Sequence, residues 1–255
     1  MKKRSFQVAG VDGCRAGWFA AIATVERRNS GSDAPCTYRL ADSFVASRFT
    51  EVLSKTADCE LVCVDMPIGL NEDNGDRMCD RQARNKLGEP RRRSVFPPPI
   101  RQCLKAKDYT EANEISFEYS GKKLTPPTWA ITGKIRQVDE SMTQELQRRV
   151  REIHPEISFW ALNHGQPMQR KKTTVAGRNE RVVLLSVIFS DLYHVVAECH
   201  QPKKVQVDDI LDALAAAWTA GQAVIGKAKT LPDNPESDSK GLKMEILYPA
   251  AIMDS

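Results

Sequence analysis

Apolar runs separated by turn residues mark the first quarter of the chain. Residues 6–11 and 17–25 are two such runs, and the connection over 12–16 contains an Asp-Gly pair, so we predict a β-hairpin. Residues 37–40 favour a third strand. Residues 59–64 form a fourth apolar run that is followed by a proline and a glycine, as expected for a buried strand.

Helical periodicity occurs in four segments. Apolar residues follow roughly helical spacing over 44–53, and they recur at every third or fourth position over 135–150. Residues 181–196 are strongly apolar and 208–224 are rich in alanine, which predicts two more helices. Asp208 stands where it would cap the last helix.

The remaining segments predict loops and two further strands. Residues 71–107 are rich in Arg, Asp and Pro, and they predict a long loop with one short helix; such loops are uncommon unless they are functional. We also expect a basic loop over 163–180 and a flexible loop over 226–242. Residues 153–159 and 243–248 are predicted strands.

The order of these elements predicts the α/β class. Three strands, a helix and a fourth strand favour a mixed sheet covered by helices. The sequence shows no internal repeat and no clear linker, so we expect one domain over residues 1–255. The stretch of about 71–150 would be a helical and loop subregion inserted after the fourth strand.

Composition and charge narrow the class of protein. The hydrophobic fraction of 41% and the charged fraction of 27% are ordinary for globular proteins. The 37 basic and 33 acidic residues leave a formal charge of +4, which permits a polyanionic partner without demanding one. The seven cysteines include no CxxC pair, so we expect reduced thiols, no zinc site and a cytoplasmic protein. No run of about 18 uncharged apolar residues occurs, so we expect no membrane span.

Two carboxylates stand directly after predicted strands. Asp12 follows the first strand and Asp65 follows the fourth, and ligands of open α/β sheets commonly bind at the carboxyl ends of strands. Asp also favours turns, so each residue has a structural explanation as well. Two such acids on adjacent strands favour a functional site.

Three further acids are candidates for the same site. Asp209 and Asp212 lie three residues apart on the last predicted helix and therefore share one face. The helix dipole explains Asp209, whereas Asp212 stands among apolar neighbours and needs a partner, either a metal ion or an arginine. Glu156 follows His154 and a proline in a predicted strand, and His154 is a base, a ligand or a satisfied core residue.

Carboxylates that converge indicate a hard cation. Like charges resist ionisation unless a cation lies between them, and Mg²⁺ and Mn²⁺ prefer oxygen ligands. Two such ions activate water and stabilise the leaving oxygen of a phosphodiester. The basic residues of 91–101 and 171–172 either hold phosphates or form a solvated surface.

Eight motifs, in order, resemble a family described as predicted RNase H-like nucleases (domain of unknown function 429). The resemblance runs from about residue 6 to residue 224. The motifs are GVDGCRAGW at 10–18, VDMPIGL at 64–70, CDRQAR at 79–84, RSVFPPPIR at 93–101, KIRQVDE at 134–140, EIHPEISF at 152–159, KKT...G...R at 171–181 and DDILDALAAA at 208–217.

This resemblance implies an RNase H-like core in which acids of the first strand, the fourth strand and the last helix bind one or two ions of Mg²⁺ or Mn²⁺. Asp12 and Asp65 match the strand acids, and Asp209 or Asp212 matches the helix acid, while Glu156 is the remaining acid that could join them. All five are expected metal ligands, and all but Asp209 are expected catalytic residues. The expected substrate-binding residues are Arg15, Arg84, Arg101, Lys134 and Lys172.

The function that the resemblance implies is hydrolysis of nucleic-acid phosphodiester bonds by a two-metal mechanism. One alternative is an actin-like enzyme that binds a nucleotide or a small phosphate, although the sequence has no Gly-rich phosphate loop. Another alternative is a non-catalytic binding protein that kept the fold. The sequence favours no particular nucleic acid or phosphoester and carries no signal of an oligomeric state.

Overall fold

A five-stranded mixed sheet forms the centre of the fold. The computed structural model describes residues 4–27, 36–73, 76–201 and 204–250. The strands are β1 (Arg4–Cys14), β2 (Gly17–Arg27), β3 (Cys36–Ala46), β4 (Leu61–Val64) and β5 (Val150–Glu152), and their order across the sheet is β3-β2-β1-β4-β5. β2 is antiparallel to β1 and β3, whereas β4 is parallel to β1 and β5. This arrangement confirms the predicted α/β class with a mixed sheet.

Eight α-helices accompany the sheet within the described ranges. They are α1 (Phe49–Lys55), α2 (Met78–Leu87), α3 (Tyr109–Ser120), α4 (Pro126–Ser141), α5 (Pro155–Leu162), α6 (Val175–Ser186), α7 (Leu192–Cys199) and α8 (Val207–Val224). Short 3-10 helices lie at Arg92–Ser94, Arg101–Lys105 and Leu146–Arg148. Among the residues that the structure describes, no helix has the length and apolar character needed to cross a bilayer.

Both faces of the sheet are covered by helices. Along β1, Phe6 and Val8 pack in the cluster that contains α8, whereas Ala9 and Val11 pack in the cluster that contains α1 and α4. Successive side chains of a strand point to opposite faces, so a strand buried on both sides is a nearly continuous apolar run. By the same alternation, Asp12 lies on the face of β1 that α8 covers.

The contact between β1 and α8 is unusually close at Gly10. A Cβ atom at this position would lie 1.9 Å from the Ala213 carbonyl oxygen and 2.2 Å from the Ala217 nitrogen. Only a glycine lets the helix backbone approach the strand this closely. The contact holds Asp212, the neighbour of Ala213, beside the end of β1.

The start of α8 differs from the sequence prediction. Gln206, not Asp208, occupies the N-cap position, and the Asp209 carboxylate accepts a hydrogen bond of 2.8 Å from the Gln206 backbone N–H. This is the reciprocal pair of a capping box, which satisfies backbone donors that the first turn leaves open. Asp209 therefore has a local structural role as well as a position near the sheet edge.

The predicted strand over 153–159 is wrong. The strand β5 ends at Glu152, and α5 begins at Pro155. Proline is well suited to the first helical position because it has no backbone N–H to leave unpaired, and the His154 side chain caps the helix. Glu156 is consequently a residue of a first helical turn and not a strand-borne acid.

Other boundaries also required tertiary information. The predicted helix over 181–196 is two helices, α6 and α7, and the helix predicted over 135–150 begins at Pro126 and ends at Ser141. The predicted flexible loop over 226–242 contains strand β6 (Ala228–Leu231), which pairs with β7 (Ile246–Pro249) in a separate two-stranded sheet. Helix α3 was not predicted.

Candidate metal centre

A cavity of about 730 Å³ opens at the carboxyl ends of β1, β4 and β5. Since these three strands run in the same direction, the residues that follow them meet at one edge of the sheet. All five acids predicted as metal ligands line this cavity: Asp12, Asp65, Glu156, Asp209 and Asp212. We call it the carboxylate cavity. The residues that line it are far apart in the chain.

Asp12 lies at the inner wall of the carboxylate cavity and is only 6% exposed. One of its oxygens accepts a hydrogen bond of 2.7 Å from the Gly13 N–H. Burial raises the pKa of Asp12 well above its usual value, and the neighbouring carboxylates Asp65 and Asp212 raise it further. The site is thus short of positive charge around Asp12.

Asp65 and Asp209 also have raised pKa values. Burial raises the pKa of Asp65 to about 6, with His154 and Lys172 opposing the shift and Asp212 adding to it. Burial also raises the pKa of Asp209 to about 6, opposed by the hydrogen bond from the Gln206 N–H. Carboxyl groups with such pKa values bind protons readily, and a cation placed among them would lower their pKa.

Lys172 supplies the positive charge that these acids have in the structure. Its Nζ donates to Asp212 Oδ2 at 2.5 Å, and Asp212 is 1% exposed. Asp212 raises the pKa of Lys172 well above its usual value, and Asp12 and Asp65 raise it further. Asp212 therefore has the partner that its apolar surroundings require, but that partner is a lysine and not an arginine.

Glu156 lies at the start of α5 and forms a buried ion pair. Its Oε1 accepts from Nη2 of Arg181, a side chain that is itself buried and also donates to the Gly177 carbonyl at 2.9 Å. The second oxygen, Oε2, is buried and has no hydrogen-bond partner among the described residues. Glu156 thus presents one unsatisfied oxygen in a residue that lines the carboxylate cavity.

His154 has both ring nitrogens engaged. Nδ1 accepts a hydrogen bond of 3.2 Å from the Glu156 N–H, which leaves the ring proton on Nε2, 3.3 Å from the Ser94 carbonyl oxygen. Through these two contacts the ring caps α5 and joins it to the segment that contains Ser94. Of the three roles open to this histidine, the structure supports that of a satisfied structural residue.

The predicted substrate-binding residues lie in different places. Lys134 and Lys172 line the carboxylate cavity, and the Lys134 stem packs beside Gly13, where a Cβ would lie 2.6 Å from Lys134 Cδ. Arg15 is exposed and is not part of the cavity wall. Arg84 pairs with Asp76 and lines a neighbouring cavity.

Arg101 lies outside the carboxylate cavity and is surrounded by acids. Its guanidinium pairs with Glu72 at 2.8 Å, with Asp139 at 3.1 Å and with Asp238. These contacts join the segment after β4 to α4 and to the chain before β7. Arg101 is therefore a structural cross-link, and its charge is already balanced.

A second group of potential metal ligands lies in the wall of the cavity. Ligand atoms of Cys79, Asp80 and Glu152 all lie within 4.8 Å of one another, the tightest such group in the described ranges. Arg77 occupies this group: its Nη2 donates to Asp80 Oδ1 at 2.8 Å and to Glu152 Oε1 at 2.6 Å. Burial also raises the pKa of the Cys79 thiol, which disfavours the thiolate.

The buried Arg77 group is therefore an ion-pair network and not a metal site. The Arg77 Nη1 also donates to the carbonyls of Ile68 and Gly69, both at 3.2 Å, so the guanidinium ties α2 to β5 and to the segment after β4. Sequence reasoning missed Glu152 and left Arg77 and Asp80 without a role. The family motifs around these residues were the signal in the sequence that could have indicated them.

The family comparison agrees with the resemblance seen in the motifs. The family model "Protein of unknown function (DUF429)" matches residues 10–237. Among solved structures, the chain is similar to Thermus thermophilus RuvC, with 14% identity and a TM-score of 0.34 over 86% of this chain and 96% of that chain. The search of curated proteins gave no significant match. On the family match, which covers most of its length, the chain belongs to the DUF429 family.

Proposed function

We propose that the protein is a metal-dependent phosphodiesterase that cleaves nucleic acid in the carboxylate cavity. The observation that carries this proposal is the convergence of Asp12, Asp65 and Asp212 from β1, β4 and α8 on one cavity. Asp12 and Asp212 lie on regular elements and Asp65 directly follows β4, so all three are held by the sheet and the last helix, as a site that positions reacting atoms requires.

The residues present fit a hard divalent cation. The donor set consists of carboxylate oxygens, which Mg²⁺ and Mn²⁺ prefer. The buried Glu156 Oε2 lacks a partner among the described residues, and burial, together with neighbouring carboxylates, raises the pKa values of Asp12, Asp65 and Asp209. When bound, one or two such ions would supply Lewis-acid stabilisation of a phosphate and a water of lowered pKa.

In the structure, the Lys172 amine provides part of the positive charge that such a cation would provide. In the described residues, Asp12, Asp65 and Asp212 do not bring three ligand atoms within 4.8 Å of one another. A divalent ion that takes Asp212 Oδ2 as a ligand would displace the Lys172 amine that binds this oxygen in the structure. The released amine, on a side chain that is 42% exposed, would then be free to contact a substrate phosphate.

The other side chains of the cavity have separate tasks. Asp12, Asp65 and Asp212 would hold the cation, and Asp209 and Glu156, which line the same cavity, are further candidate ligands. Lys134 would offset phosphate charge from the side of the β1–β2 turn. A volume of about 730 Å³ suits one or two nucleotide units, since pockets for small molecules span roughly 300–1,000 Å³.

Cleavage assays on a panel of single-stranded, double-stranded, hybrid and branched oligonucleotides test this function. Wild type should cleave at least one class with Mn²⁺ or Mg²⁺ and none with EDTA, and Asp12→Asn should abolish cleavage. Asp208→Asn is the matched control, because Asp208 is on the same helix as Asp212 but does not line the cavity. Metal-dependent cleavage that survives in Asp12→Asn would refute the assignment.

A further inference from the structure

A second cavity of about 450 Å³ lies next to the carboxylate cavity. Its wall carries five cationic residues and one acidic residue, Asp76. The cationic residues are Arg84, Arg92, Arg93, Lys122 and Lys123. Arg84 pairs with Asp76, so the other four provide a net positive charge; within the described ranges they form no ion pair. We call this the basic cavity.

The two cavities share one wall. Arg93, Val95 and Phe96 line both of them, so the segment of residues 93–97 separates the carboxylate cavity from the basic cavity. A ligand that extends beyond the carboxylate cavity across this segment would enter the basic cavity.

The dividing segment is fixed from three sides. His154 Nε2 lies 3.3 Å from the Ser94 carbonyl, Arg84 Nη1 donates to the Val95 carbonyl at 3.3 Å, and Thr128 Oγ1 donates to the Pro97 carbonyl at 3.2 Å. Arg84 is thus a positioning residue for the wall. Arg92 and Arg93 lie in or beside this fixed segment, whereas Lys122 and Lys123 lie in the loop between α3 and α4, where Ser116 Oγ donates to the Lys122 carbonyl at 2.7 Å.

We propose that the basic cavity binds phosphate groups of the same nucleic-acid strand whose scissile phosphate lies in the carboxylate cavity. This inference rests on the proposed function. A polynucleotide carries regularly spaced phosphates, and contacts to several of them supply most of its sequence-independent affinity. The concave wall of the basic cavity carries four exposed cations, Arg92, Arg93, Lys122 and Lys123. The half-buried Phe96 at the dividing wall offers a face on which a base stacks.

The test compares two pairs of exposed lysines in the same region of the chain. Lys122→Ala/Lys123→Ala removes two cations of the basic cavity, and Lys105→Ala/Lys107→Ala removes two exposed lysines that line neither cavity. Binding of a fluorescent single-stranded oligonucleotide is measured by anisotropy in EDTA, over a salt series. Hydrolysis of a small nucleoside phosphodiester with Mn²⁺ is measured in parallel, because it reports on the carboxylate cavity alone.

The proposal predicts a selective loss in the first pair. Lys122→Ala/Lys123→Ala should bind the oligonucleotide on the order of tenfold more weakly, and its salt slope should fall by about 1.4, since each phosphate contact on a single strand contributes about 0.7. Hydrolysis of the small diester should stay at the wild-type rate. The control pair should match wild type in all three measurements.

Two results would overturn the proposal. The first is an unchanged affinity and salt slope in Lys122→Ala/Lys123→Ala, whether or not wild type hydrolyses the small diester. The second concerns inorganic phosphate. If wild type binds it tightly, and Lys122→Ala/Lys123→Ala loses this binding but still binds the oligonucleotide, the basic cavity is a site for a free ion. Failure of wild type to cleave any oligonucleotide of the panel with Mn²⁺ or Mg²⁺ would instead refute the proposed function.

Discussion

Lys172 and Asp212 form the contact on which the chemistry of the carboxylate cavity depends. The lysine amine donates to the buried Asp212 and also interacts with Asp12 and Asp65. A single positive charge thus serves three carboxylates. In the metal-free chain this pair stabilises the fold, and in the proposed holoenzyme it must open.

Replacing Lys172 by Ala separates these two effects. Without metal, the variant should lose about 1–3 kcal/mol of unfolding free energy, less than the 3–5 kcal/mol of a fully buried pair because Lys172 is 42% exposed. The gain in melting temperature on adding Mn²⁺ should exceed that of wild type, since no amine competes with the ion. Thermal melts with and without Mn²⁺ measure both quantities.

Lys171→Ala is the control for this experiment, because Lys171 is an exposed neighbour that also lines the cavity. It should change the metal-free melting temperature little. An equal Mn²⁺-induced shift in wild type and Lys172→Ala would show that the lysine does not compete with a cation.

The raised pKa values of Asp65 and Asp209, both about 6, predict how metal binding depends on pH. A metal ligand must be deprotonated, so protons compete with Mn²⁺ below these pKa values. Affinity should fall as the pH is lowered through about 6, by up to tenfold per pH unit for each proton released, and should level off above it. Calorimetric titration in buffers of different protonation enthalpy counts the protons, and a pH-independent affinity would contradict the account.

At the scale of single residues, the sequence indicated the acids but not their partners. Asp12 and Asp65 were predictable because each directly follows an apolar run in the sequence. The bonds of Lys172 to Asp212 and of Arg181 to Glu156 join positions 40 and 25 residues apart across loops and helices. Such pairs depend on the path of the chain in three dimensions, which spacing does not reveal.

At the scale of elements, the packing of α8 on β1 sets the geometry of the cavity. The helix carries Asp209 and Asp212, and the strand carries Asp12. Gly10 permits the backbones to approach, so the distance between strand and helix acids depends on a residue that has no side chain.

Gly10→Ala tests this dependence. The added Cβ would meet the Ala213 carbonyl oxygen at 1.9 Å, so α8 must shift. Overpacking of this kind costs about 1–3 kcal/mol or more, and the shift should also weaken Mn²⁺ binding. Chemical denaturation and calorimetry measure the two effects.

Gly133→Ala serves as the reference substitution. Gly133 lies within α4, and a Cβ there would meet no atom within 4 Å, so alanine should stabilise the helix by about 0.5–1 kcal/mol. If Gly10→Ala were as stable as wild type and bound Mn²⁺ equally well, the close approach of α8 to β1 would not determine the geometry of the carboxylate cavity.

The sequence predicted the elements with strong local patterns. The β1–β2 hairpin and helix α8 were found because apolar runs and an alanine-rich stretch dominate them. The turn from β5 into α5 was missed, because the apolar residues around His154 and Pro155 fit a strand as well as a buried helix. Strand β6 was missed because its stability comes from pairing with β7, a distant segment.

At the scale of the whole molecule, the sheet, the last helix and the segments between β4 and β5 build two adjacent cavities with different linings. The carboxylate cavity gathers the five predicted metal ligands together with Lys and Arg side chains, and the basic cavity gathers four cations that form no ion pair within the described ranges. This division suits a polyanion whose scissile group needs a metal and whose flanking phosphates need only positive charge. The proposed function depends on the binding of a divalent cation by the acids of the carboxylate cavity.

Isothermal titration of Mn²⁺ into wild type, Asp65→Asn and Asp208→Asn tests this claim most directly. Asp65 lines the carboxylate cavity, whereas Asp208, an acid in the first turn of α8, does not. Wild type and Asp208→Asn should bind Mn²⁺ with equal affinity, and Asp65→Asn should bind at least tenfold more weakly. Equal affinity in all three proteins, or no binding to wild type, would contradict a metal centre at this edge of the sheet.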